Sequence, residues 1–228
     1  MTDITLPGWV HALGRRAELT PAEQISRFLP PEDGSGRAAA VLILIGEGPT
    51  VVLLERASTM RQHAGQVAFP GGAVDPEDVD SVATALREAE EEVGVDPASV
   101  QIVATLPSLF LSASSFVVTP VLGYWHSPHA VGVIDAAEVA RVVVAPVAEL
   151  VDPANRFTIR HPSGYVGPGF DVDGLFVWGF TAGLLNVVLD LGGWTRPWDR
   201  QITRPLPPLL GGPPMPGADS GLTGTVQE

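Results

Sequence analysis

Glu88, Glu90, Glu91 and Glu92 crowd five consecutive positions in the run "REAEEEVGV". Like charges three and four residues apart on a helix cost about 0.2–0.5 kcal/mol per pair, so a helix carrying this run needs something to offset the repulsion. At the helical turn angle Glu88, Glu91 and Glu92 fall within about 100° of one another, whereas Glu90 points elsewhere. Three convergent carboxylates suit a hard divalent cation, Mg²⁺ or Mn²⁺, which takes oxygen ligands and recruits the oxygens of a substrate phosphate. The plainer alternative is a solvated acidic face, the usual fate of such runs. Two neighbours favour the metal. Arg87 can fix a glutamate through a charge-assisted hydrogen bond, and in "FPGG" (Phe69 to Gly72) the absence of Cβ at Gly71 and Gly72 lets backbone approach a ligand closely.

The rest of the composition constrains the ligand. With 26 acidic and 13 basic residues, the formal net charge is −13. Such a chain repels nucleic-acid backbones and anionic membranes, and neither is expected as a partner. A small nucleotide remains admissible if local cations, either a bound metal or arginines, meet its charge. There is no cysteine, which leaves oxygen ligands and the five histidines for any metal. No stretch approaches ~18 uncharged apolar residues, so a soluble, cytoplasmic protein is expected.

The elements that must position the carboxylates follow from hydrophobic periodicity. "AAAVLILIG" and "TVVLLER" read as two strands joined by a turn, the first buried on both faces, and "QVAF" as a third strand cut by Pro70. The pattern then shifts to helical spacing. Val82, Leu86, Ala89 and Val93 form an apolar stripe, placed by the wheel opposite the three glutamates, and Gly94 ends the helix. Strands return in "VQIVATL", "FVVTPVLGYW" and "VARVVVAPV", followed by an irregular passage around "RHPSGYVGPGFDVDG" and a second helix at "WGFTAGLLNVVLDL". Residues 1–36 read as a lead-in with a short helix capped by Thr20, 37–203 as the main folded domain, and 204–228 as a disordered Pro/Gly-rich tail. Strands with helices between and after them predict an α/β sandwich, a mixed sheet between helical layers.

The segment from Gly72 to Val95 resembles the Nudix box, a glycine followed by a helix ending R-E-U-x-E-E-x-G-U, where U is aliphatic. Arg87 to Val95 fill that ending. The gap from Gly72 to Arg87 is one residue longer than in the general box, and Asp78 or Glu77 stands nearest to its mid-box glutamate. Just upstream, Arg56, Ala57, Arg61, Gly65, Phe69, Pro70, Gly71 and Gly72 match the signature of the coenzyme A pyrophosphatase branch, which shares the longer box. Val52, Leu53 and Leu54 stand where that signature has L-L-T. The resemblance covers roughly residues 38–190. It implies a Nudix-type α/β/α fold, Mg²⁺ or Mn²⁺ held by Glu88, Glu91 and Glu92, a catalytic role for Arg87, and substrate contacts from Arg56, Arg61, Phe69, Gly71 and Gly72.

The implied reaction is hydrolysis of the diphosphate of coenzyme A or an acyl-CoA to 3′,5′-ADP and 4′-phosphopantetheine or its acyl derivative. One glutamate would act as base toward water, and the residues alone leave open which. ADP-ribose, NADH and (deoxy)nucleoside triphosphates are the alternative substrates, a non-catalytic nucleotide-binding regulator is the alternative class, and a homodimer stays open. Other residues have plainer readings. His63 is a loop histidine or a ligand contact, Ser112, Ser114 and Ser115 form a serine-rich turn, and Trp178 is core. Glu138 reads as a solvated residue before a strand, with a remote acid as its alternative. No G-x-S-x-G or P-loop motif offers a covalent serine route or a motor.

Overall fold

A computed structural model describes residues 5–60, 63–112, 114–161 and 164–210. The chain begins with helices α1 (Gly8–Glu18) and α2 (Ala22–Ile25), then enters strands β1 (Arg37–Gly46), β2 (Thr50–Arg56), β3 (Val67–Ala68) and β4 (Gly71–Ala73). Helix α3 (Ser81–Val93) leads to β5 (Val100–Thr105), β6 (Leu109–Leu111), β7 (Phe116–Trp125), β8 (Val139–Pro146) and the short α4 (Val147–Leu150). A second group follows: β9 (Arg156–Arg160), β10 (Val166–Val172), β11 (Leu175–Val177), helix α5 (Gly179–Gly192) and β12 (Thr203–Arg204).

The main sheet runs β3-β2-β1-β7-β5, with β8 on β2, β4 on β1 and β6 on β7. β1 and β7 are parallel over their whole length, whereas β1 with β2 and β2 with β8 are antiparallel, so the sheet is mixed. Alternation along the central strands fills two cores. Ala40, Leu42 and Leu44 of β1 with Val52 and Leu54 of β2 meet Ala85, Ala89 and Val93 of α3. Ile43, Ile45, Val51 and Leu53 face the other way, toward Leu13 and Ala17 of α1 and Leu185, Val188 and Leu189 of α5. Both faces of β1 are buried because helices cover both, which is the expected α/β/α sandwich.

Four features differ from those read in the sequence. Residues 1–36 are more than a lead-in: α1 buries Val10, Leu13 and Ala17 against β5 and α5, a helical spacing hidden between Pro7 and Pro21. Thr20 does not cap α2, since its hydroxyl donates back to the Arg16 carbonyl at 2.7 Å. The Gly/Pro-rich passage is not irregular, for it forms a second sheet ordered β11-β10-β9-β12. Its glycines are packing residues. A Cβ on Gly169 would lie 2.7 Å from Cδ2 of Phe157, so the ring uses the space that a side chain would fill.

At the C-terminal end Thr203 and Arg204 pair with β9, and Leu206 is buried with Phe157 and Ile159. Packed chain therefore continues past Arg204, where the sequence had suggested that the tail begins; residues 211–228 lie outside the described ones. Among the described residues no helix is long and apolar enough to cross a membrane.

Candidate active site

The edge of β1 is shared by two strands. Ile45 and Gly46 pair with β2, Ala39 to Val41 pair with β4, and between them the Leu42 N–H donates to the Pro70 carbonyl at 2.8 Å. "FPGG" is thereby clamped to the central strand. Phe69, expected at the substrate, is buried in the core at 2% exposure and anchors this loop from below. Gly71 and Gly72 face α3.

That helix starts at Asp80, whose carboxylate accepts from the Ala83 N–H, and stops at Gly94 in the left-handed conformation with φ 75°. Its glutamates are not arranged as one face opposite the apolar stripe. Glu92 is buried at 4% exposure, at the border of the stripe beside Ala85 and Ala89. Its Oε2 accepts from the Gly71 N–H at 2.9 Å. Glu88 is half-buried against Gly72, where a Cβ would stand 2.5 Å from its Oε1. Glu91 is turned outward, its Oε2 accepting from Arg87 at 3.0 Å, and Glu90 is exposed. The wheel places Glu92 only about 60° from Ala89, so it belongs to the edge of the buried face rather than to its reverse.

Arg87 organises the helix from outside. Its Nε and one terminal nitrogen grip Asp78 at 3.0 and 2.9 Å, and that nitrogen also donates to the Ala73 carbonyl at 3.1 Å. The other terminal nitrogen donates to Glu88 at 3.1 Å and to Glu91 at 3.0 Å. The two-pronged bond from Arg87 holds the Asp78 carboxyl well below the usual carboxylate range, and Asp78 in turn raises the Arg87 guanidinium above its ordinary value. Of the two acids nearest the middle of the motif, Asp78 meets Arg87, while Glu77 is exposed. In this arrangement Arg87 is a positioning residue that fixes Glu88 and ties α3 to β4.

The two inner carboxylates are held in an environment that resists their charge. Burial pushes the Glu92 carboxyl up to about 7, against the Gly71 N–H and Arg56, which favour its ionised form. Burial also raises Glu88, although Arg87 opposes the shift. Glu138 adds repulsion to both. It is exposed and directly precedes β8, as read in the sequence, and from there it also stands across from α3. It is brought there by the Ala57 N–H, which donates to the Glu138 carbonyl, and by a bulge where β2 meets β8 at Glu55 and Arg56. Arg56 lies between the acids, 4.0 Å from Glu92 and 4.0 Å from Glu138. Its Nε is buried without a hydrogen-bond partner.

The donor set consists of carboxylate oxygens, the ligand type of a hard divalent cation, and the charge of such an ion would favour the ionised forms of both Glu88 and Glu92. As the side chains stand, no group of three or more acidic or histidine residues among the described ones is gathered tightly enough to close around an ion. Glu91 joins Glu88 and Glu92 only by leaving Arg87.

The remaining expectations divide. His63 shares a hydrogen bond with Gln66 in its own loop at 3.1 Å. Ser114 and Ser115 form the turn into β7, where the Ser115 carbonyl accepts from Arg37. Trp178 precedes α5, stacks on His161 and packs with the third core cluster. Arg61 lies outside the described residues.

Residues 34–163 match the NUDIX domain family. The chain is a Nudix hydrolase. Over 197 residues it is 41% identical to the uncharacterized Nudix hydrolase NudL of Enterobacter sp. (strain 638), covering 77% of this chain and 96% of the relative. NudL of Escherichia coli (strain K12 / DH10B) is 39% identical over 190 residues, covering 76% and 96%. The fold is also that of RenU, a Nudix hydrolase from M. smegmatis, at 17% identity and a TM-score of 0.51, covering 76% of this chain and 98% of that one. Nudix hydrolases generally work with divalent metal ions, consistent with the oxygen donors of Glu88 and Glu92.

Proposed function

We propose that this Nudix hydrolase cleaves the diphosphate of coenzyme A or an acyl-CoA, releasing 3′,5′-ADP and 4′-phosphopantetheine or its acyl derivative. The observation that supports this most is the position of Arg56. The first arginine of the upstream signature stands between Glu92 and Glu138 with a buried, unpartnered Nε, a cation prepared for an anion in a chain of net charge −13. A guanidinium fork matches two phosphate oxygens at once. Arg61, five residues further along the same signature, is assigned the same task.

Glu88, Glu91 and Glu92 would hold Mg²⁺ or Mn²⁺, which on binding polarises a phosphoryl oxygen and lowers the pKa of bound water. The protein's own groups do the rest. The Gly71 N–H holds one oxygen of Glu92 at 2.9 Å and so directs the other toward the substrate side. Arg87 fixes Glu88. Gly72, with no side chain, leaves the carboxylate of Glu88 room to approach the loop. A glutamate of this group takes a proton from water as its oxygen attacks one phosphorus of the anhydride, and the bridging P–O bond breaks with the electron pair leaving on the second phosphate.

The test is a panel of coenzyme A, acetyl-CoA, ADP-ribose, NADH and dGTP, incubated with Mg²⁺ or Mn²⁺ and read by mass spectrometry. Preferential conversion of coenzyme A or its thioester is expected. More efficient turnover of ADP-ribose, NADH or dGTP would overturn the substrate assignment and keep the diphosphate chemistry. No turnover of any of them would favour the nucleotide-binding regulator.

A further inference from the structure

A cavity of about 300 Å³ has Arg56 in its wall. One side is built by the Nudix sheet, from Arg56, Val67 of β3 and Ala140 of β8. The other side lies outside the segment that matches the family: Phe176 comes from the β10–β11 hairpin, and Pro207 and Leu210 from the chain that follows β12.

This second wall is firmly placed. The hairpin turns at Asp173 and Gly174, both with positive φ (48° and 72°), the conformation of the tightest hairpin turns. Arg141 of β8 ties the turn to the main sheet by donating to the Asp173 carbonyl at 2.7 Å and to its carboxylate at 2.8 Å. β11 packs against β3 next to the glycine loop, and the Thr181 hydroxyl donates to the Val67 carbonyl at 2.9 Å. Leu206, buried with Phe157 and Ile159, carries the chain to Leu210.

We propose that this cavity receives the uncharged, flexible arm of the substrate, a chain of methylene and amide groups joined to the diphosphate, and that Phe176 and Leu210 make the enzyme select it. The inference rests on the diphosphate-hydrolase reading of Arg56 and the carboxylates. Arg56 links the two regions, since it lines the cavity and also stands 4.0 Å from Glu92, so a diphosphate held there can send one substituent inward. The volume is at the small end for ligand sites, enough for part of a coenzyme-sized substrate and not for all of it.

The chemistry of the lining chooses which part. Among the described residues its charged groups are Glu55 and Arg56, so with Arg56 occupied by the diphosphate a further phosphate would meet no second cation among them. A purine's several ring nitrogens would find the Ser58 hydroxyl as the neutral polar side chain among the described lining residues, and unmatched buried nitrogens are costly. A jointed chain can turn its few amides to Ser58 or to solvent and bury its methylenes.

The experiment is calorimetric titration of the full-length protein with 4′-phosphopantetheine and, separately, with 3′,5′-ADP, in wild type and two variants. Ala140→Trp narrows the cavity from an exposed position that tolerates a large side chain, and Leu210→Ala opens the opposite wall. Ala140→Trp is expected to weaken 4′-phosphopantetheine at least about tenfold and to leave 3′,5′-ADP within about twofold, with Leu210→Ala showing the same selectivity at about threefold. Loss of 3′,5′-ADP affinity with 4′-phosphopantetheine unchanged would assign the cavity to the purine and overturn the proposal. Unchanged affinity for both ligands would overturn it too. Failure of the underlying reading shows elsewhere, as wild-type enzyme that turns over ADP-ribose or dGTP in place of coenzyme A.

Discussion

Two adjacent glycines, Gly71 and Gly72, ought to fail in opposite ways when each is replaced by alanine. A Cβ on Gly71 would overlap the Ala40 carbonyl oxygen and lie 2.6 Å from Cα of Val41, both backbone atoms of the central strand. β1 is held by β7 along one edge and by β2 and β4 along the other, so it cannot move aside without loosening the sheet. Overpacking of that kind costs about 1–3 kcal/mol, which in a chain of this size lowers Tm by about 3–10 °C. At Gly72 the Cβ meets a different neighbour, the carboxylate of Glu88, at 2.5 Å from Oε1 and 2.7 Å from Oε2. The end of a glutamate side chain can rotate away at a cost of about 0.5–1.5 kcal/mol, so Gly72→Ala should fold and melt near wild type. Its Glu88 would no longer lie beside the loop, however, and kcat should fall at least about a hundredfold, close to 2.7 kcal/mol of transition-state stabilisation. Thermal melts of the metal-free variants, with turnover at saturating Mg²⁺, separate the two effects. A Gly72→Ala protein that keeps full activity, or that loses as much stability as Gly71→Ala, would refute this division of labour.

Glu92→Gln should lose activity by orders of magnitude while folding normally, whereas Glu90→Gln, on an exposed residue, should be nearly silent; equal damage in steady-state assays would show that the site has been drawn on the wrong glutamates. Because Glu92 is raised from 4.5 to about 7, its ionised form is disfavoured in the folded protein: its own contribution to stability should be fully present below about pH 4.5 and be lost, by at most roughly 3 kcal/mol, as pH rises through 7. Urea midpoints of the metal-free protein between pH 5 and 8 should show the decline, and Glu92→Gln should flatten it; an unchanged slope in the variant would remove Glu92 as its source. Truncation after Arg204 should lower Tm by about 3–10 °C relative to truncation after Leu210, since it removes the buried Leu206, and equal melting of the two would mean that this side chain contributes nothing.

What could be read without coordinates depended on how local the signal was. The two-faced burial of β1, the stop of α3 at Gly94 and the start of α5 near Trp178 follow from runs and single punctuating residues, and all were legible. Helix α1 was missed although Val10, Leu13 and Ala17 repeat at helical spacing, because Arg15, Arg16 and two flanking prolines dilute an already short pattern. The second sheet was missed because Gly167 and Gly169 look like loop residues until Phe157 and Tyr165 are seen occupying the space above them. At the site, the Nudix ending located Glu88 and Glu92, but the approach of Glu138 to Arg56 depends on strands β2 and β8, more than eighty residues apart at those positions, and on a bulge that no local pattern announces.

The displacement of Glu92 from the solvent face to the buried border answers the question raised by four clustered glutamates. Repulsion on a fully solvated face would be weak and screened by salt, and would demand little of a metal. Buried beside Ala85 and Ala89, Glu92 has its carboxyl raised to about 7, so a positive charge arriving at the site favours its ionisation, which couples ionisation of the site to ligand binding. The same burial requires a hydrogen-bond donor, and the Gly71 N–H supplies it from a loop that is itself pinned to β1. The glycine pair, the buried acid and the central strand thus form one mechanical unit. A substitution that shifts the register of β4 by one residue would move the Gly71 N–H away from Glu92 and uncouple the unit even with every glutamate intact.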